Sequence, residues 1–310
     1  MDCPSLPQVG YLEFSERLHD RMRGRRYPIS GSIDLTERCN LRCAHCYINL
    51  PAGDPAALEE ELSAAEWRGI LDQVCDAGTL WLQISGGEPL LRPDFFDIYF
   101  YAKQKGFLIT LMTNGTLITP EAADRLASWP PLNLEITCYG SSAETFERVT
   151  GIPGSHGRFR KGLELLAERG LRPRLKTMVM TLNRHELDEM RAWADDLGMD
   201  FRYDAVLDIR KDGGREPAGL RIPVDELVGL DVSDTKRAEG WRRFWADFKD
   251  VRPTDRIYQC GAGIRGYHIG ADGRLLVCFA ARQPGYDLRR GTFADAWERF
   301  LPEEVLSRVW

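Results

Sequence analysis

With 310 residues, 43% hydrophobic and 28% charged, the chain is long enough for two domains or for one α/β barrel with an appendage, and its composition is that of a folded protein. Its 41 basic and 47 acidic side chains leave a net charge of −6, so no global positive field points to nucleic acid. The longest apolar run, Leu275 to Ala281, is far short of a bilayer span, and Met1 to Gly10 has no apolar signal-peptide core; the expectation is a cytoplasmic protein with no membrane partner.

An amphipathic, Arg-rich segment, Tyr11 to Tyr27, predicts a helix, and Ile29 to Leu35 then alternates as a strand. Further strands are expected at Thr79 to Ser85, Leu108 to Thr113, Asn133 to Cys138, Arg172 to Met180 and Asp200 to Val206. Helices fill the gaps. Ser63 with Glu66, Ser141 with Glu144 and Asn183 with Glu186 have the spacing of capping boxes, and Thr119 followed by Pro120 marks another start. Six strands alternating with helices imply parallel βαβ units with right-handed crossovers, hence an α/β fold wound into a partial (β/α)6 TIM-type barrel.

Beyond Leu207 the repeat stops. Lys211 to Pro223, rich in Gly, Pro and charge, reads as a linker or lid, and a polar, Trp-bearing helix is expected over Thr235 to Phe248. Tyr267 to Gly270 and Arg274 to Phe279 flank Ala271-Asp272-Gly273, a turn suited to a hairpin because Asp-Gly tolerates positive φ. A short helix near Phe293 to Phe300 completes this C-terminal appendage. The resulting division is an N-terminal helical extension (1–28), a core (29–206), a linker and helix (207–255) and a tail (256–310).

Eight cysteines without an export signal are better explained by metal or catalysis than by disulfides. Cys3, Cys75 and Cys138 are isolated, Cys260 and Cys278 sit late, and Cys39, Cys43 and Cys46 cluster directly after the first strand. Three thiolates on a short loop can each take one iron of a cubane and leave the fourth iron open to a substrate. A zinc site would need a fourth ligand, for which His45 and Cys75 are the nearby candidates, and a redox pair would not need a third thiol.

Together with Ser85-Gly86-Gly87-Glu88-Pro89 at the end of the second strand, Cys39-Asn-Leu-Arg-Cys43-Ala-His-Cys46 resembles the radical S-adenosylmethionine (radical SAM) superfamily, with its CxxxCxxC loop and GGEP motif. The resemblance implies a [4Fe-4S] cluster on Cys39, Cys43 and Cys46. It also implies that the glycines let the backbone reach the methionine ammonium group while the Glu88 carboxylate helps hold it. Asn114, Thr137 and Lys176 fall on the same rim of strand ends, as cofactor or cavity residues, and Arg148 is assigned to the methionine carboxylate. Glu88 is expected to matter for binding and to have little packing role.

The resemblance extends to the tail, where Cys260, Gly273 and Cys278 look like the opening of a SPASM or twitch domain. The later cysteines of such a domain are missing before Trp310, and two thiolates cannot close a four-iron core, so Cys260 and Cys278 stand as candidates for an auxiliary cluster with the tail expected instead to cover the barrel mouth as a hairpin. The implied activity is reductive cleavage of S-adenosylmethionine to a 5′-deoxyadenosyl radical that abstracts hydrogen. Maturation of a ribosomally made peptide, as in RiPP maturases, is the leading reading. It implies a peptide substrate, a separate leader-recognition protein, and a reductant such as flavodoxin or ferredoxin. The alternatives are a small-molecule dehydrogenase or epimerase acting on a sugar or metabolite, and a cluster-binding or peptide-binding protein without turnover.

Overall fold

The structure is a computed structural model that describes residues 9–48, 50–249, 255–258 and 260–309. Cys3 lies outside the described residues. In chain order the elements are α1 (Tyr11–Arg21), β1 (Ser30–Thr36), β2 (Arg38–Cys39), β3 (Leu50–Pro51), α2 (Pro55–Glu60), α3 (Ala64–Asp76), β4 (Trp81–Gly86), α4 (Phe95–Gln104) and β5 (Leu108–Thr113). They continue with α5 (Pro120–Ser128), β6 (Asn133–Thr137), α6 (Ala143–Thr150), α7 (Ser155–Glu168), β7 (Arg174–Met178), α8 (Leu187–Asp196) and β8 (Phe201–Asp204). After these come α9 (Val224–Ser233), α10 (Thr235–Phe248), β9 (Gly266–Ile269), β10 (Arg274–Leu276), β11 (Tyr286–Asp287) and α11 (Phe293–Asp295), which continues as a π-helix over Ala296–Leu306.

Strands β1, β4, β5, β6, β7 and β8 pair in that order and all in parallel, which is the partial barrel expected from six βα units. Alternation along each strand decides which face is covered. Ile33, Ile84, Ile109, Leu111, Ile136 and Leu175 are buried against the helices. Their neighbours Ser32, Gln83, Thr110, Thr137 and Lys176 point to the opposite, concave face and remain only partly covered. A polar concave face inside an apolar shell is a poor core and a good site.

The hairpin is where the fold departs most from expectation. β9 and β10 pair around Asp272 and Gly273, whose φ of 80° the turn requires, but the hairpin does not cap the barrel mouth. β9 instead runs parallel to β1 on its free edge, with Ser32 beside His268, and β10 and β11 continue the same sheet outward. Only the segment that follows reaches over the cysteine loop, where the Phe279 ring lies 5.6 Å from that of Tyr47 and Arg282 stacks 5.7 Å from the same ring.

Two of the four expected helix starts form as the sequence implies. Ser63 and Glu66 form a reciprocal capping box, and Thr119 caps α5 through Ala122 N–H with Pro120 in the first turn. The other two boxes are not formed. α6 is capped by Ser142, and the carboxylate that serves its start is Glu186, which accepts from Ser141 N (2.7 Å), Ser142 N (3.0 Å), and the hydroxyls of Ser141, Ser142 and Thr145. Asn183 is buried and ties Thr177, Met178, Tyr139 and Met180 together. The first helix stops at Arg21, in a turn that passes through Gly24 at φ 75°. The stretch 211–223 is not free: Lys211 N donates to the Tyr47 carbonyl at 2.8 Å and its ammonium pairs with Glu37.

Candidate functional site

The cysteine loop is anchored from both sides. A register irregularity between Asp34 and Thr36 ends regular pairing of β1 and turns the chain into the loop. On the far side Arg42 N and Ala44 N donate to the carbonyls of Thr150 (2.8 Å) and Val149 (2.9 Å), which close α6 and lack partners within the helix. Gly151 caps that helix in the left-handed conformation at φ 68°, and a Cβ there would stand 3.0 Å from the Arg42 carbonyl oxygen.

Cys39, Cys43 and Cys46 are each partly covered. Burial, with the Glu88 carboxylate as a second cause, pushes the Cys39 thiol up to about 12, and burial pushes Cys43 well above the usual thiol range. Two N–H groups nevertheless face the Cys39 sulfur, Leu41 N at 3.4 Å and Asn114 Nδ2 at 3.7 Å, the kind of contact that stabilises a metal-bound thiolate. Among the described residues no three His, Cys, Asp or Glu side chains converge on a single ion. Three soft sulfur donors on one short loop are a donor set that suits a cluster in which each would bind a different iron.

Gly86 and Gly87 are required by packing against this loop. A Cβ on Gly86, whose φ is 118°, would lie 2.2 Å from the Thr36 carbonyl oxygen, and one on Gly87 would lie 2.1 Å from that of Arg38. The close approach is bonded: Gly87 N donates to Thr36 O (2.7 Å) and Glu88 N to Arg38 O (2.9 Å). The expectation that Glu88 has little packing role is corrected. It is fully buried, with one carboxylate oxygen accepting from Thr113 Oγ1 (2.7 Å) and Leu90 N (3.1 Å) and the other from Asn114 N (2.8 Å). Burial raises its pKa to about 6 despite these donors.

A prediction follows for Glu88→Gln. The new NH2 group faces the Asn114 N–H as donor to donor, which costs about 1–3 kcal/mol. The wild-type carboxyl, with its folded pKa raised, contributes stability that is complete below about pH 4.5 and lost as pH rises through about 6. The deficit of the variant should therefore be largest near pH 4.5 and shrink by about 2 kcal/mol by pH 7.5. Denaturant midpoints at the two pH values measure it, and a deficit that grows with pH would refute the reading.

Asn114 closes a network that sequence reasoning only half saw. Its Nδ2 reaches Asn40 Oδ1 (2.9 Å), and its Oδ1 accepts from Thr116 N (2.9 Å) and Thr116 Oγ1 (2.6 Å). Ser85, one residue before the end of β4, pairs with Asp34, and Thr137 and Lys176 are neighbours across β6 and β7 on the concave face. The Lys176 ammonium has the Met112 sulfur at 3.8 Å, and burial lowers its pKa. The sequence offers His45 only as a possible zinc ligand. It is buried, with Nε2 3.2 Å from the Tyr139 hydroxyl and Nδ1 without a partner, and burial, then Lys176, lowers its pKa to about 4.

The other candidates stand apart. Arg148 is exposed on α6 and donates to the Leu182 carbonyl at 2.6 Å. Cys260 is exposed, and Cys278 lines a cavity below the loop.

The sequence pattern of the Radical SAM superfamily matches residues 33–197, from β1 through α8, and so includes the cysteine loop and the Gly-Gly turn. The chain belongs to the radical SAM superfamily. Members use a [4Fe-4S] cluster and S-adenosylmethionine. The radical SAM chain is 36% identical over 165 residues to the AdoMet-dependent heme synthase of Methanosarcina barkeri, covering 53% of this chain and 46% of that protein. It thus spans about half the length of that relative. It is 29% identical over 284 residues to the PqqA peptide cyclase of Xanthomonas euvesicatoria, covering 87% of this chain and 74% of the cyclase. In fold it is similar to the crystal structure of Streptococcus suis SuiB bound to the precursor peptide SuiA, with a TM-score of 0.68 at 17% identity over 96% of this chain and 72% of the other. No helix of the described residues is long and apolar enough to cross a membrane.

Proposed function

We propose that this radical SAM enzyme modifies a ribosomally made peptide. What supports the reading is the extent of likeness: similarity to the heme synthase covers 53% of the chain, whereas similarity to the peptide cyclase covers 87% and takes in residues beyond the family-defining 33–197. The cluster and S-adenosylmethionine together supply reductive cleavage to methionine and a 5′-deoxyadenosyl radical, which abstracts hydrogen from substrate.

The chain's own task is to hold and orient. Cys39, Cys43 and Cys46 are assigned as the three cluster ligands. The backbone of Ser85, Gly86 and Gly87 is assigned to the methionine ammonium, with Glu88 positioning that turn from below. Asn114, Thr137 and Lys176 are assigned to the walls around the nucleoside and methionine portions. Arg148, which precedes the Val149 whose carbonyl anchors the loop, is assigned the methionine carboxylate. Residues 29–206 form the catalytic unit in this reading, 1–28 an extension, 207–255 a linker and 256–310 a tail. A separate protein presents the leader peptide, flavodoxin or ferredoxin supplies the electron, and the reaction takes place in the cytoplasm.

The test is anaerobic reconstitution followed by reduction with dithionite. The expected result is formation of 5′-deoxyadenosine, with deuterium transferred into it from a deuterated precursor peptide. Iron-loaded protein that forms no 5′-deoxyadenosine would refute the enzymatic reading, and transfer from a sugar but not a peptide would favour the small-molecule alternative.

A further inference from the structure

A cavity of about 390 Å³ lies against the concave face, one layer below the site. Ser32, Gln83 and Thr110 stand side by side in its wall, in register across β1, β4 and β5. Gln83 is two residues before Ser85, so the cavity sits roughly 7 Å beneath the rim where the glycine turn meets the cysteine loop. The C-terminal segment supplies the opposite wall through Gly261, Val277, Cys278 and Phe279. Phe279 is 43% exposed, so the cavity communicates with solvent.

Two properties limit what the cavity accepts. Every described residue that lines it is uncharged, in a chain where 28% of residues are charged. A charged group entering it would be desolvated without a counter-charge. Its polar groups are also prearranged. Ser32 Oγ is 2.9 Å from Nδ1 of His268, which is 2% exposed and has its Nε2 3.3 Å from Asp34 Oδ2, so the hydroxyl is held from behind. Thr110 Oγ1 accepts from Asn133 Nδ2 at 3.3 Å. The Gln83 carboxamide makes no hydrogen bond to the described residues and offers its donors and acceptor to the cavity.

We propose that this cavity is a specificity pocket for an uncharged carboxamide side chain, asparagine or glutamine, of the peptide substrate. An amide presented to Gln83 pairs with it through two reciprocal N–H···O=C bonds, the Ser32 hydroxyl bonds the remaining valence, and Trp81, Val277 and Phe279 cover the methylenes. The inference rests on the peptide reading of the function and names the side chain that reading leaves open.

The experiment uses saturation-transfer NMR on the full, iron-reconstituted chain with four blocked amino acids, the N-acetyl N′-methylamides of asparagine, aspartate, leucine and serine. Binding of the asparagine probe, with aspartate and leucine excluded and serine weaker, is the expected result. Gln83→Leu should weaken the asparagine probe about tenfold, since two neutral hydrogen bonds are lost. Gln83→Glu, of the same shape, should also weaken it, and it keeps the test alive if the leucine variant fails to fold. Absence of binding by the asparagine probe, equal binding of aspartate or leucine, or unchanged binding in the folded Gln83 variants would each overturn the proposal. None of these readouts needs turnover of S-adenosylmethionine. The pocket can therefore fail while 5′-deoxyadenosine is still formed, and loss of the enzymatic reading is seen separately in that product.

Discussion

Alanine at Cys39, Cys43 and Cys46 together is expected to give a folded chain that takes up no iron after reconstitution and forms no 5′-deoxyadenosine, against about four irons per chain in the parent. The thiols contribute little to the fold in their free form. Only Cys43 packs against the core, and burial holds the Cys39 and Cys43 protons on, so metal-free cysteine here acts as a small apolar side chain. Ligation reverses that preference, because each buried thiolate gains an iron as counter-charge. Iron analysis and visible absorbance read the outcome. A triple variant that keeps its full iron and absorbance would remove the loop from the site. A parent with about eight irons, of which the triple variant keeps about four, would instead place a second cluster at Cys260 and Cys278, where the tail is expected to hold none.

Glu61→Ala is expected to cost about 3–5 kcal/mol, because it strips the buried Arg38 of its carboxylate and takes from the buried Arg92 one of its two, the other being Asp94 at 2.7 Å. Glu61 accepts from Arg38 Nε (2.7 Å) and Nη2 (2.9 Å), from Arg92 Nη1 (3.3 Å) and from the Thr36 hydroxyl. All three charged side chains are under a tenth exposed. The two arginines also hold main chain on both sides of the site: Arg38 bonds Ala52 O at 2.7 Å, and Arg92 bonds Leu35 O (3.0 Å) and Leu62 O (2.9 Å). A fall in melting temperature of roughly 10 °C should accompany the change, together with poorer iron uptake, since Arg38 precedes the first ligand. Adding Arg38→Met to Glu61→Ala removes one uncompensated charge and should recover part of the loss. Double and single variants of equal stability would show that the charges are not its source.

The strand and helix order was legible because the apolar residues alternate cleanly. Ile33 and Leu35, Ile109 and Leu111, or Leu134 and Ile136 mark the helix-covered face without help from tertiary structure. The cysteine loop and glycine turn were legible for a different reason: their chemistry depends on residue type at fixed spacing. What stayed hidden was set by partners distant in sequence. Glu61 and Arg92 are unremarked charges until the fold sets Glu61 between Arg38 and Arg92. Glu186 looks like the local cap of its own helix but serves Ser141 and Ser142, and His268 gives no sign that its neighbours are Ser32 and Asp34. Glu88 was found, but its burial was not, since the donors that surround it come from the next strand's end.

The parallel pairing of β9 with β1 has a consequence for how the molecule is made. Contacts such as Ser32 to His268 span 236 residues, so this flank of the sheet is completed only when nearly the whole chain is available. Until then β1, the strand that delivers the cysteine loop, presents an open row of amide and carbonyl groups during synthesis. The six-stranded part can condense early on its sequential βα contacts, while closure of the β1 flank waits on loop entropy. A chain that ends before Gly266 keeps that edge bare, and its natural outlet is pairing with another copy of itself, so aggregation, not a smaller soluble enzyme, is what loss of the tail should yield.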